Sequence, residues 1–125
     1  LLNALDGSYL RSEKRISDCG PMDTIGFADA KADVLATYLR SGEGRQYAAV
    51  LDETDRLIDG FQSPLGMELL ATVDWLLRRE RCAPTIEALR RGLAGWPGGP
   101  EAGVRKQRLF EDRLLELALS RLATA

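Results

Sequence analysis

Along residues 28–40 the apolar side chains Ala32, Leu35, Ala36 and Leu39 recur three and four positions apart, the spacing that stacks them on one face of an α-helix. The run stops at Ser41-Gly42, with Gly44 close behind. A helix over 28–40 is predicted. In the next segment, 45–59, Tyr47, Val50, Leu51, Thr54, Leu57 and Ile58 share one face, and Asp52, Glu53, Asp55, Arg56 and Asp59 the other. This second amphipathic helix should end at Gly60, the residue best able to take the left-handed conformation at a helix end.

A third helix must begin at once. Ser63 is a good N-cap, and Pro64 suits the first helical position, where a missing N–H costs nothing. Gly66, which costs about 1 kcal/mol relative to Ala inside a helix, falls in the first turn, where the lack of a side chain lets another backbone come close. Phe61 is placed to plug the corner between the two helices. On a wheel of about 100° per residue, Leu65, Leu69, Leu70, Val73, Leu76 and Leu77 form a broad apolar sector, while Glu68, Thr72, Trp75 and Arg79 line a narrow opposite stripe. The wheel reads as a central helix with one wet edge. Trp75 on that edge either shields the core beneath a neighbouring segment or anchors a partner. Asp74 has Arg78 four residues ahead for an ion pair worth a few tenths of a kcal/mol.

Pro84 and Thr85 cap a short helix over 86–94, with Ile86, Leu89, Leu93 and Trp96 available to the core. Gly98-Gly99-Pro100-Glu101-Ala102-Gly103 reads as a loop of turn formers. It lacks the lysine-serine ending of a phosphate-binding loop. Phe110, Leu114, Leu117, Ala118 and Leu122 then mark one long helical face, with the helix start near Leu109 because Glu111 and Asp112 suit a first turn and Arg105, Lys106 and Arg108 oppose the helix dipole there. At the other end, residues 1–7 look like the last turn of a helix closed by Asp6-Gly7. Tyr9 and Leu10 follow as an extended piece, then a polar loop holding Gly20-Pro21, with a second short strand around Ile16 to complete a hairpin.

These elements predict a mainly α fold: a compact helical domain of about four to five helices with a small N-terminal β-hairpin, in a packing that resembles a winged helix. At 125 residues, 45% apolar and 29% charged, the chain is one domain's worth and should bury roughly two thirds of its unfolded surface. No apolar stretch approaches a membrane span and no signal peptide opens the chain, so a soluble, cytoplasmic protein is expected. Opening on Leu1-Leu2-Asn3 rather than Met, residues 1–125 read as a single helical domain that is the C-terminal part of a longer protein.

The chain has two cysteines, Cys19 and Cys82, and no histidine. That composition removes most zinc sites, Ser-His and Cys-His catalysis, and the commonest general base. No nucleophile–base pair, metal set or cofactor motif can be assembled from the sequence. A non-enzymatic role with no cofactor, no metal and no membrane contact is therefore expected. Residues 1–77 carry 7 cationic and 13 anionic side chains, whereas 78–108 carry 8 and 3. The basic stretch allows a nucleic-acid-binding reading, in which Arg78, Arg79, Arg90, Arg91, Arg105 and Lys106 would touch phosphates. An overall pI near 5.2 favours a protein partner or self-association instead.

The run Leu57–Trp75, LIDGFQSPLGMELLATVDW, resembles the G-F-x-S/T-P-x-G-x-E-L-L-A-T-V-x-W signature in the C-terminal region of macrodomain antitoxins, which oppose DNA-modifying ADP-ribosyltransferase toxins. Asn3–Leu10 is similar to that region's L-x-x-L-x-G-x-Y segment. Trp96, Arg105-Lys106, Phe110 and the ALSRL from Ala118 are similar to its closing part. The resemblance implies a module that binds a toxin and helps to block its nucleic-acid site, while a separate macrodomain, absent from these residues, removes ADP-ribose from the modified base. Asp74 stands where the signature more often has histidine, and the loop before Arg105 is longer and richer in glycine. A surface that competes with DNA gains from carboxylates, which suits the acidic 1–77. Glu68, Thr72, Trp75 and Arg79 are the first expected partner-binding residues, with Arg105 and Lys106 second.

Overall fold

The computed structural model describes residues 2–20 and 23–124; Pro21 and Met22, and with them part of the Gly20-Pro21 turn, lie outside. Among the described residues the chain is mainly α, with seven α-helices and one two-stranded antiparallel sheet. It divides into two compact units, residues 1–49 and 50–125.

The first unit opens with helix α1 (Leu2–Leu5), which turns at Asp6-Gly7 as its residues dictate: Gly7 has φ +70°, and the Ser8 hydroxyl and the Tyr9 amide both donate to Leu5 O. Strand β1 (Leu10–Arg11) pairs with β2 (Gly26–Phe27), Leu10 opposite Phe27. The predicted hairpin partner at Ile16 is therefore wrong. Ile16 instead starts a short 3₁₀ turn, its side chain 6% exposed and its N–H donated to the Asp6 carboxylate at 3.0 Å. A backbone donor taken by a side chain is lost to a ladder, so the returning strand forms only beyond the loop.

Helix α2 (Ala32–Arg40) follows a 3₁₀ turn over Asp29–Lys31 and buries none of its side chains. Helix α3 (Gly42–Ile58) starts earlier than its hydrophobic pattern suggests, because the Ser41 hydroxyl caps it by accepting the Gly44 amide at 3.2 Å.

In the second unit α3 ends as predicted at Gly60, φ +80°. Arg121 completes that end, donating to the carbonyls of Arg56, Leu57 and Asp59 while its guanidinium lies 5.3 Å from the Phe61 ring centre. A cation there satisfies orphan carbonyls and complements the helix dipole. Helix α4 (Pro64–Arg78) starts three residues after Phe61 with Ser63 accepting the Gly66 amide at 3.0 Å. The chain turns back so tightly that a Cβ on Gly66 would sit 2.6 Å from the carbonyl oxygen of Phe61.

Leu69, Leu70, Val73 and Leu76 of α4 form the centre of the core. Leu89 and Leu93 of α5 (Ile86–Ala94, capped by Thr85) close one side. The expected glycine-rich loop is corrected, while the final helix, expected from near Leu109, starts three residues later. Pro100 starts α6 (Pro100–Leu109), and after Phe110 a separate α7 runs over Asp112–Ala123. Pro100 can take the first helical position for the same reason as Pro64. Gly103 lets α6 reach α5, where any Cβ would lie 2.6 Å from Leu93 O. Within α7, Leu115 and Ala118 are fully buried, and Leu117, expected on the apolar face, is 51% exposed, because the buried face centres on Leu115 and Ala118 and Leu117 lies about 100° or more round the helix from each.

Gly66→Ala should lower stability by about 1–3 kcal/mol, the usual range for forcing atoms into a filled space, because the obstacle is Phe61 backbone, which cannot swing aside. Urea denaturation followed by circular dichroism measures it, and an unchanged midpoint would show that the corner can open.

Candidate functional site

The stripe Glu68, Thr72, Trp75 and Arg79 steps by four, three and four residues, so α4 and its C-cap carry all four along one side. Helix α6 brings Arg105 and Lys106 to the same place. The structure thus brings Glu68, Thr72, Arg105 and Lys106 into one hydrogen-bonded cluster, with Trp75 on the adjoining groove and Arg79 beside Trp75 alone.

Lys106 is the hub. It is 8% exposed, and its ammonium donates to Glu68 Oε1 at 2.9 Å and to the Thr72 hydroxyl at 3.0 Å. It also lies 4.7 Å from the Trp96 ring centre and 5.5 Å from that of Phe110, within the range in which an aromatic face attracts a cation. Arg105 reaches the same carboxylate with both terminal nitrogens, at 2.7 and 3.1 Å, the fork geometry that makes such pairs strong. Hydrogen bonds from Arg105, then from Lys106, hold the Glu68 carboxyl down to a pKa of about 2, against an ordinary 4.5.

The wet edge of α4 is therefore not wet along its length. Thr72 is 3% exposed because Lys106 lies over it, which a wheel of one helix has no means of showing. Trp75, by contrast, is 43% exposed. Its indole N–H donates to Glu80 at 3.3 Å and the Arg79 guanidinium stands 5.9 Å from its ring centre. One edge of Trp75 is thus fixed in place while another faces solvent. Beside it runs an open groove of about 360 Å³, walled by Trp75 and Ala71 of α4 and by Trp96, Pro97 and Gly98, with Glu68, Thr72 and Lys106 along its floor. Its walls are largely apolar and its polar atoms already have partners, so it suits an apolar side chain better than an ion.

Phe110 stands four residues after Lys106, so that contact follows from helical spacing, whereas the meeting of Lys106 with Trp96 has no local signal, since it depends on how α6 is set against α5. Among the basic residues, Arg90 donates to Asp112 at 2.8 Å and to Gln107 O at 2.9 Å, and Arg78 pairs with Asp74 at 2.6 Å. That i to i+4 pair is the one the sequence suggests. Both cysteines carry free thiols. Among the described residues no three His, Cys, Asp or Glu side chains cluster to hold a metal, and no helix is long and apolar enough to cross a membrane.

No protein-family model matches the chain. It is 33% identical over 97 residues to DNA ADP-ribosyl glycohydrolases of Mycobacterium bovis and Mycobacterium tuberculosis, a stretch that covers 75% of this chain and 24% of each relative. The chain thus corresponds to about a quarter of the length of these enzymes and is similar to one region of them.

Two measurements probe the hub. Lys106→Ala should destabilise the fold by about 3–5 kcal/mol, the cost of breaking a buried pair and leaving its partners short of a donor, whereas Lys106→Met, which keeps the bulk, should recover part of that loss; equal losses in chemical denaturation would remove the packing component. For pH, the depressed Glu68 pKa makes ionised Glu68 stabilising at pH values above about 4.5, and that stabilisation should fade as pH falls toward 2. Glu68→Gln should flatten this part of the stability profile, and an unchanged slope would assign the acid sensitivity elsewhere.

Proposed function

We propose that this chain is a non-enzymatic protein-binding module of antitoxin type, which binds a toxin-like protein and neutralises it. The observation that carries the reading is the half-exposed Trp75 standing over an apolar groove whose floor is locked by ion pairs. A rigid aromatic side chain beside a preformed apolar slot is the arrangement from which binding hot spots are built, because little conformational entropy is left to lose on association.

The kind of partner comes from the similarity to mycobacterial DNA ADP-ribosyl glycohydrolases together with the resemblance of Phe61–Trp75 to the C-terminal region of macrodomain antitoxins. Both favour a DNA-modifying ADP-ribosyltransferase as the protein bound. In this reading the roles divide by burial. Trp75, Arg79, Arg105 and the exposed edge of Glu68 make contact, while Thr72 and Lys106 hold the groove in shape. The basic stretch 78–108 is a weaker candidate for a nucleic-acid surface, since Arg78, Arg90, Arg105 and Lys106 each already have an internal carboxylate partner and would have to surrender it to a phosphate.

Trp75→Ala tests the proposal. It should cut association with the partner by at least about 2 kcal/mol, the threshold of a hot spot, while leaving the far-ultraviolet circular dichroism unchanged. The assay is a pull-down from source-cell lysate, with and without nuclease, comparing wild type and variant by mass spectrometry. A stoichiometric ADP-ribosyltransferase retained by wild type alone supports the reading. Retention that survives Trp75→Ala, or that disappears with nuclease, defeats it.

A further inference from the structure

Helix α6 is the reverse of an ordinary amphipathic helix. Of its apolar side chains, Val104 is 56% and Leu109 37% exposed, Pro100 faces solvent and Ala102 is only partly covered. The one side chain it buries is that of Lys106. The core residues, and the partly buried apolar residues packed on them, come from other parts of the second unit, and none belongs to α6.

What holds α6 down is polar. Lys106 and Arg105 bond Glu68 and Thr72 on α4, and Arg90 on α5 donates to Gln107 O at 2.9 Å. Its close approach to α5 is made at Gly103, which has no side chain to bury. Removing one partner from such a set strands a buried charge, but releasing the whole helix returns every charge to water together, so the set lets go at less cost than its members suggest. Ten residues of helix are marginal in water without an apolar face to pack. Gly98-Gly99, with Gly99 at φ +96°, supplies a pliant connection before α6, and the fully buried Phe110 keeps the chain anchored after it.

We propose that α6 is a latched strap with two states, docked through the Glu68 cluster or released and unwound, and that it passes between them while α4, α5 and α7 stay folded. Release changes the groove. Lys106 forms part of the groove floor and lies over Thr72, so lifting α6 takes that floor away, and the groove is complete only in the latched state. A partner seated there, on the reading proposed above, therefore holds α6 shut. The opening in the free chain is independent of that reading.

Hydrogen exchange of individual amides, followed by NMR on the free chain under native conditions, tests it. Amides of residues 104–109 should be at least about tenfold less protected than those of Leu70, Val73 and Leu76 in α4. Glu68→Gln, which keeps the side chain's shape and removes its charge, should lower protection of 104–109 by about tenfold, the usual worth of a hydrogen bond to a charged group. Ala118→Gly, a core change on α7 that leaves the ion cluster intact, should lower protection in α4 by about fivefold or more, the cost of glycine in a helix interior, and leave 104–109 unchanged. Equal protection of α6 and α4 in the wild type overturns the proposal. So does an equal loss in both helices on Ala118→Gly, because α6 would then open only when the whole unit unfolds. Protection of 104–109 that ignores Glu68→Gln overturns it too, since the cluster would not be the latch. No partner is present in these measurements, so they stand or fall apart from the Trp75 pull-down.

Discussion

The architecture of the second unit turns on one buried ammonium group. Removing a lysine head from water costs several kcal/mol unless hydrogen bonds and opposite charge replace its hydration. Lys106 finds that replacement in Glu68 and Thr72 on α4, in the Trp96 ring after α5, and in the Phe110 ring at the junction of α6 and α7. Helix α4, the turn after α5 and helix α6 with its Phe110 cap must all be correctly placed for one cation to be satisfied. The hydrophobic core supplies most of the folding drive, but it is tolerant of small shifts. The ion cluster adds direction, which apolar contact lacks.

This gives a physical meaning to residues scattered through the antitoxin-like pattern. Glu68 and Thr72 come from one stretch and Trp96, Lys106 and Phe110 from another more than twenty residues on, and they meet around a single nitrogen. Trp75 stands outside that cluster, exposed, with Arg79 and Glu80 holding its ring. A scaffold residue is valuable because it is buried, and a contact residue because it is not. The same sequence pattern contains both kinds.

The two units differ in how much they bury. The second contains a continuous core of leucines, Val73, Phe110 and Ala118, whereas α2 in the first buries none of its side chains and leaves Val34 and Tyr38 53% and 43% exposed. Apolar surface left uncovered on helices with correct amphipathic patterns is characteristic of chains that meet other chains.

Hydrophobic period and capping chemistry determined the helices over 28–40, 45–59, 64–79 and 86–94 to within a few residues, and with them the mainly α class, because these signals act over one or two turns and need no distant partner. Ser63, Thr85, Gly60 and the close approach at Gly66 were legible for the same reason. The strand pairing was not, since whether Leu10 meets Ile16 or Phe27 depends on where the Ile16 amide finds an acceptor. Nor was α6, because Pro100 and Gly103 look like loop residues until α5 lies beside them. The stripe from Glu68 to Arg79 could be read from one helical wheel, but tertiary structure decided which of its members face solvent. Burial of Thr72 and exposure of Trp75 are properties of α4 with α6 set against it, and a sequence period describes a helix before anything has covered it.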